Sequence, residues 1–128
     1  MRDVSIGDLE RAIRLSWSVD TSADGTWDPL RPSRGQCAVT ALVIHDYFGG
    51  ELLRAVVGDI SHYWNQLPDG SIVDMTCDQF DVFQPENTEH RTSEYVLSFP
   101  ETAFRYRRLA ERTKVHLKME SAGVLTKE

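Results

Sequence analysis

Apolar residues recur at helical spacing near both ends and in the middle of the chain, with a block of extended, alternating segments between. Ile6, Leu9, Ile13 and Trp17 define one buried stripe behind Ser5, whose hydroxyl suits an N-cap with acids in the first turn. The stripe stops near Val19. From Cys37 to Tyr47 the chain is apolar around much of its circumference, with Val39, Leu42 and Val43 on one side, so it reads as the central buried helix. Ser33-Arg-Gly-Gln36 has the form of a capping box just ahead of it, and Gly49-Gly50 closes it. Ser98-x-Pro100-Glu101 opens a last helix with Phe104, Tyr106 and Leu109 as its apolar positions. Past Lys118 the pattern is lost, and residues 119–128 read as a frayed tail.

Three strands are expected between the helices: Glu51–Val57, Ile60–Leu67 and Ser71–Thr76, forming an antiparallel meander. Gly58-Asp59 turns the first pair. Leu67-Pro68-Asp69-Gly70-Ser71 turns the second, with Pro at a position that wants φ near −65° and Gly at a left-handed one, the pattern of a three-residue hairpin loop with a bulge. Leu67 then faces Ser71, Trp64 faces Asp74 and His62 faces Thr76, which puts His62, Trp64 and Asp74 on one face. A two-residue loop would send Asp74 to the other. Asp20–Pro32 and Gln84–Ser93 read as loops, and Glu94–Phe99 as extended. Trp27, alone in its polar loop, is either a lid on the core or a wall of a cleft. The fold class is α+β in a single domain, 1–128: a Cys-bearing central helix on a small antiparallel sheet, with flanking N- and C-terminal helices.

Composition narrows the function classes. The 128 residues, 41% hydrophobic and 27% charged, are those of one globular domain. No apolar run approaches the ~20 residues that span a bilayer. The N-terminal segment carries acids and lacks the apolar stretch of a signal peptide. With two cysteines, this points to free thiols and a cytoplasmic location. A net charge of −6 argues against general nucleic-acid binding. Residues 99–128 nevertheless hold seven Lys/Arg against four Asp/Glu, read as a solvated helix face on an acidic body.

The candidate chemistry lies between Pro32 and Phe80. Cys37 at a helix start, His62 on a strand and Asp74 on the next stand in the order of a thiol nucleophile, its base and its orienting carboxylate. A helix N-terminus stabilises an anion by only ~0.3–1 kcal/mol, so an imidazolium at His62 is needed to activate the thiol. Asp74, between Val73 and Met75, would be costly to bury unless paired. The backbone N–H groups of Gln36 and Cys37, and the Gln36 side chain, are candidate oxyanion donors, although the capping box competes for Gln36. Asn65 joins Gln36 in this orienting group; Trp27, Trp64 and Tyr63 are the candidate cleft walls. His45, in the last helical turn, reads as structural, and Cys77 as a buried thiol. Cys37, His62 and Cys77 contain no close CxxC or HxxxH pair, so neither a metal nor a cofactor is expected.

Two resemblances bear on this segment. Pro32-Ser33-x-Gly35-Gln36-Cys37-Ala38-Val39-Thr40-Ala41, Gly49-Gly50-Glu51, His62-Tyr63-Trp64-Asn65 and Asp74-x-Thr76-x-x-Gln79-Phe80 resemble the uncharacterised bacterial YunG family, from about Trp17 to the third helix. More distantly, His62-x-Trp64-Asn65, Asp69-Gly70 and Asp74-x-Thr76 are similar to the H-x-W…D-G…D-P-T segment of transglutaminase-like proteins, although Met75 replaces the Pro and no Trp follows Cys37. This second resemblance implies a papain-like core and acyl-transfer chemistry, with Cys37, His62 and Asp74 as the triad. The expectation is a cysteine hydrolase or acyltransferase of peptidase, amidase or deamidase type, acting on a small-molecule, peptide or protein substrate. The alternative is a non-catalytic binding module with the same fold and cleft. Neither nucleic acid nor membrane is an expected partner.

Overall fold

The computed structural model describes residues 4–80 and 86–121. Its helices are α1 (Ile6–Ser16), α2 (Cys37–Phe48), α3 (Ser93–Leu97) and α4 (Pro100–Ser121). The strands β1 (Glu51–Val57), β2 (Ile60–Gln66), β3 (Ile72–Val73) and β4 (Glu86–Arg91) form one antiparallel sheet in the order β3-β2-β1-β4. The protein is therefore α+β, with α2 at the centre.

Helix α1 starts where Ser5 caps it, Oγ accepting from Asp8 N–H at 3.0 Å. Its stripe of Leu9, Ile13 and the following Trp17 meets Val39, Val43 and Ile44 of α2 and Leu109 of α4 in the largest core cluster. The Trp17 indole N–H reaches Thr40 Oγ1 at 2.9 Å, so the one polar atom on the stripe is satisfied. The remaining flank of α2, Ala41 and Leu42, packs on Leu52 of β1, with Tyr63 of β2 alongside. Buried on two flanks from Cys37 to Ile44, α2 keeps only Thr40 as a polar side chain over that stretch, and that hydroxyl is bonded to Trp17.

The chain leaves α2 through Gly49 and Gly50, both at positive φ. Gly50 is confined as well: a Cβ there would lie 2.2 Å from the carbonyl oxygen of Gln66, the last residue of β2. This close approach seats β2 against the end of α2. The Pro68-Asp69-Gly70 turn forms in the expected register, with Leu67 N–H donating to Ser71 O at 2.8 Å, Gly70 at φ 91°, and Asn65 paired with Val73.

Elsewhere the pattern misleads. The expected third strand, 71–76, is regular only over Ile72–Val73, because the chain turns away at Asp74. Gln84–Ser93 contains a strand, β4, that pairs with the outer edge of β1. Its described side chains are exposed or half-exposed, so no apolar alternation marks it. Asn87 at φ 58° lies where the register shifts, a bulge typical of edge strands. Glu94–Phe99 is largely a short helix, started by Thr92 Oγ1 accepting from Tyr95 N–H at 3.0 Å. Helix α4 runs on to Ser121, past the start of the tail expected from 119; residues 122–128 of that expectation lie outside the described residues. Phe104, assigned to its apolar face, is 47% exposed.

The basic residues of α4 lie in part on the acidic body, as their pattern suggested. Arg112 donates to both carboxylate oxygens of Asp20, at 2.8 and 2.6 Å, and to Ser18 Oγ, while Arg108 approaches Asp20 at 3.7 Å. Among the described residues, no helix is long and apolar enough to cross a membrane.

Candidate functional site

Cys37 is the first residue of α2, and its Sγ lies 3.6 Å from the carbonyl of Ser61 on β2. The next residue, His62, is fully buried. Its ring stacks on Trp64 at 5.6 Å between centroids and meets the edge of Phe80 at 5.0 Å. Strand β3 pairs only with Asn65 and Gln66, so among the described residues no strand covers the edge of β2 beside His62. Asp74, one residue past β3, turns its carboxylate into that space. Its Oδ2 meets His62 Nε2 at 2.7 Å, and its Oδ1 accepts from Thr76 N–H at 3.2 Å. The Asp-x-Thr segment is thus an Asx turn that aims the carboxylate.

The imidazole is bonded on both sides. With Nε2 on Asp74, Nδ1 is left for Gln79, whose Nε2 lies at 3.3 Å, while the Cys37 side chain is near enough to favour charge on the ring. Burial alone would lower the His62 pKa, but the bond to Asp74 and the neighbouring Cys37 side chain outweigh it and raise the value to about 9. The Gln79 amide is oriented by Gly35 N–H, which donates to its Oε1 at 3.2 Å and leaves the NH2 group toward the ring. An NH2 group can bond only an unprotonated Nδ1. Gln79 therefore favours neutral imidazole, whereas negative charge at Cys37 favours imidazolium.

The segment ahead of Cys37 is anchored differently from the expected capping box. Ser33 Oγ donates to Asp78 Oδ1 at 2.6 Å, and the Arg31 guanidinium donates to Gln79 O at 3.0 Å. Both bonds tie the loop before α2 to the 3-10 turn Cys77–Gln79. Gln36 is fully buried: its Nε2 donates to Ser18 O at 3.1 Å, and its Oε1 accepts from Thr21 Oγ1 at 2.8 Å. Its backbone N–H donates to Ser33 O. Neither group is left for an oxyanion, and the Cys37 N–H has no acceptor among the described residues. Asn65 is likewise committed, donating to Ala41 O of α2 at 3.0 Å.

A cleft of about 310 Å³ opens beside Cys37, walled by Asp24, Arg34, Gly35, Ile60, Gln79 and Arg105 among others. Trp27, Tyr63 and Trp64 are not among its walls. Trp27 packs on the main core as a lid, Tyr63 on the α2–β1 cluster, and Trp64 beneath His62 with Leu53 and Ala55. Cys77 is exposed, not buried. No group of three or more metal-ligating side chains occurs among the described residues. Sequence reasoning thus missed Gln79 and Arg105. Gln79 stood in the motif after Asp74 without a role, and nothing local to Arg105 links α4 to Cys37.

The comparisons with known proteins agree with the motifs of this segment. Residues 5–118 match the model of the YunG protein family. The uncharacterized protein YunG of Bacillus subtilis (strain 168) is 35% identical over 106 residues, which cover 82% of this chain and 88% of that protein. No solved structure matches significantly. The chain belongs to the YunG family.

Proposed function

We propose that the protein is a cysteine hydrolase or acyltransferase acting on an amide or thioester through Cys37, His62 and Asp74, on a core of papain-like or transglutaminase-like type. The observation that carries this reading is His62, bonded to Asp74 at 2.7 Å on one nitrogen and following Ser61, whose carbonyl lies 3.6 Å from the Sγ of Cys37 in the cleft wall. The Cys37 thiolate attacks the carbonyl carbon, and the tetrahedral oxyanion is met by the Cys37 N–H and the Gln79 NH2. As the C–N or C–S bond breaks, His62 gives its Nδ1 proton to the leaving group. Water, or a second acceptor, then gives a proton to His62 and attacks the thioester, returning the thiol group. Asp74 keeps the ring oriented and stabilises its charge throughout, without taking the proton.

Alkylation by iodoacetamide at pH 6–7, followed by mass spectrometry, tests this reading. Cys37 is expected to label at least tenfold faster than Cys77 despite being the more buried thiol, and His62→Ala to abolish the difference. Equal, slow labelling of both thiols would leave the cleft as a binding site and remove the enzyme reading.

A further inference from the structure

We propose that Arg105 is the specificity residue of this cleft and that the group it binds is a carboxylate on the substrate. The inference deepens the acyl-transfer reading and rests on it for the word substrate.

Arg105 is half-buried and stands where three hollows meet. It lines the cleft beside Cys37, an adjoining hollow of about 360 Å³ with Asp20, Asp24 and Phe104, and one of about 450 Å³ with Phe99 and Thr102. Arg11, Arg54, Arg91, Arg108 and Arg112 each have a carboxylate oxygen within 4.0 Å. Arg105 has none among the described residues; its guanidinium makes one side-chain hydrogen bond, to Thr102 Oγ1 at 3.2 Å. Burial pushes its pKa down, and the charges at Cys37, Asp24 and Glu101 only partly oppose this. The guanidinium is partly desolvated and only one side-chain hydrogen bond holds it, which leaves donors for a planar carboxylate to take with two parallel bonds. Arg34 adds a second positive charge to the same wall. Asp24, also in the wall, works against a dianion such as phosphate, so a single carboxylate is the better fit. The substrate class is then an amide or thioester carrying one carboxylate near the scissile carbonyl.

Iodoacetate and iodoacetamide provide the test, since they deliver the same carbon to Cys37 and differ in carboxylate against amide. The ratio of their alkylation rates at Cys37 cancels the fraction of thiolate. An attraction of about 1 kcal/mol corresponds to about fivefold in rate. The ratio of iodoacetate to iodoacetamide is expected to fall about fivefold in Arg105→Gln, to be largely kept in Arg105→Lys, and to fall in the wild type as salt is added. An unchanged ratio in a cooperatively folded Arg105→Gln overturns the proposal. If that variant does not fold, acetate is expected to protect wild-type Cys37 from iodoacetamide more than chloride of equal ionic strength does; equal effects overturn it. Loss of the Cys37-over-Cys77 preference for iodoacetamide is a separate outcome. It counts against the thiol chemistry, while the ratio still reports on Arg105.

Discussion

His62 and Asp74 sit twelve residues apart and diagonally across the β2–β3 hairpin, yet their side chains meet at 2.7 Å. A buried imidazole in that contact carries a pH signature. The His62 pKa is raised from 6.5 to about 9 on folding, so its contribution to stability is fully present below about pH 6.5 and is lost as pH rises through 9. The shift corresponds to roughly 3 kcal/mol at most. Urea unfolding at pH 6 and pH 9.5 measures it, with wild-type stability expected to fall between them. Asp74→Asn should abolish much of the fall and bring the His62 NMR titration below the wild-type value. A wild-type His62 titrating near 6.5 contradicts the account.

Gln79 occupies the Nδ1 side of the His62 ring. Removing its NH2 donor from Nδ1 takes away a bond available only to neutral imidazole. Gln79→Leu is therefore expected to raise the His62 pKa by about 0.4–1 unit, the equivalent of one hydrogen bond of about 0.5–1.5 kcal/mol. An NMR titration of the ring protons gives the sign, and a lowered pKa would show that Gln79 supports the imidazolium.

Gln36 is an anchor between the α1–α2 connection and α2. Gln36→Ala removes the Nε2 donor to Ser18 O and the Oε1 acceptor of Thr21 Oγ1, leaving the Thr21 hydroxyl its bond to Ser18 O. A loss of about 1–3 kcal/mol in urea unfolding is expected. The ratio of Cys37 to Cys77 labelling in the folded variant should change little. A stable Gln36→Ala that loses this ratio would return Gln36 to the chemistry.

The Asp20–Arg112 pair joins the first connection to the last helix. Hydrogen bonds from Arg112, then Ser18, hold the Asp20 carboxyl well below the usual range. Its stabilisation is present above the ordinary carboxylate pKa and is lost as pH falls below it. Both side chains are more than a third exposed, so water and salt screen the pair. Asp20→Asn is expected to cost about 1 kcal/mol at pH 7 and less in 1 M salt, read from urea midpoints. A salt-independent loss would locate the effect in the Ser18–Asp20 turn instead.

Local chemistry was legible wherever neighbours in sequence decide it. Ser5 caps α1, Cys37 opens α2, Gly49-Gly50 ends it, and the Pro68-Asp69-Gly70 loop sets the parity that brings Asp74 onto the His62 side. The capping box failed because Ser33 and Gln36 have stronger partners far along the chain, Asp78 and Ser18. Strand β4 was illegible because an edge strand needs only backbone partners, and these leave no apolar pattern.

The residues of the Pro32–Phe80 segment thus determined by themselves that a thiol, an imidazole and a carboxylate would stand on adjoining elements, since turn parity and helix ends are short-range properties. The tertiary structure alone decided what surrounds them. It committed Gln36 to Ser18 and Thr21 and Asn65 to the backbone of Ala41, left three aromatic residues out of the cleft walls, and brought Gln79 and Arg105 to them. Those assignments depend on which long-range partner each polar group finds when buried. That competition is settled by packing, and no local pattern records its outcome.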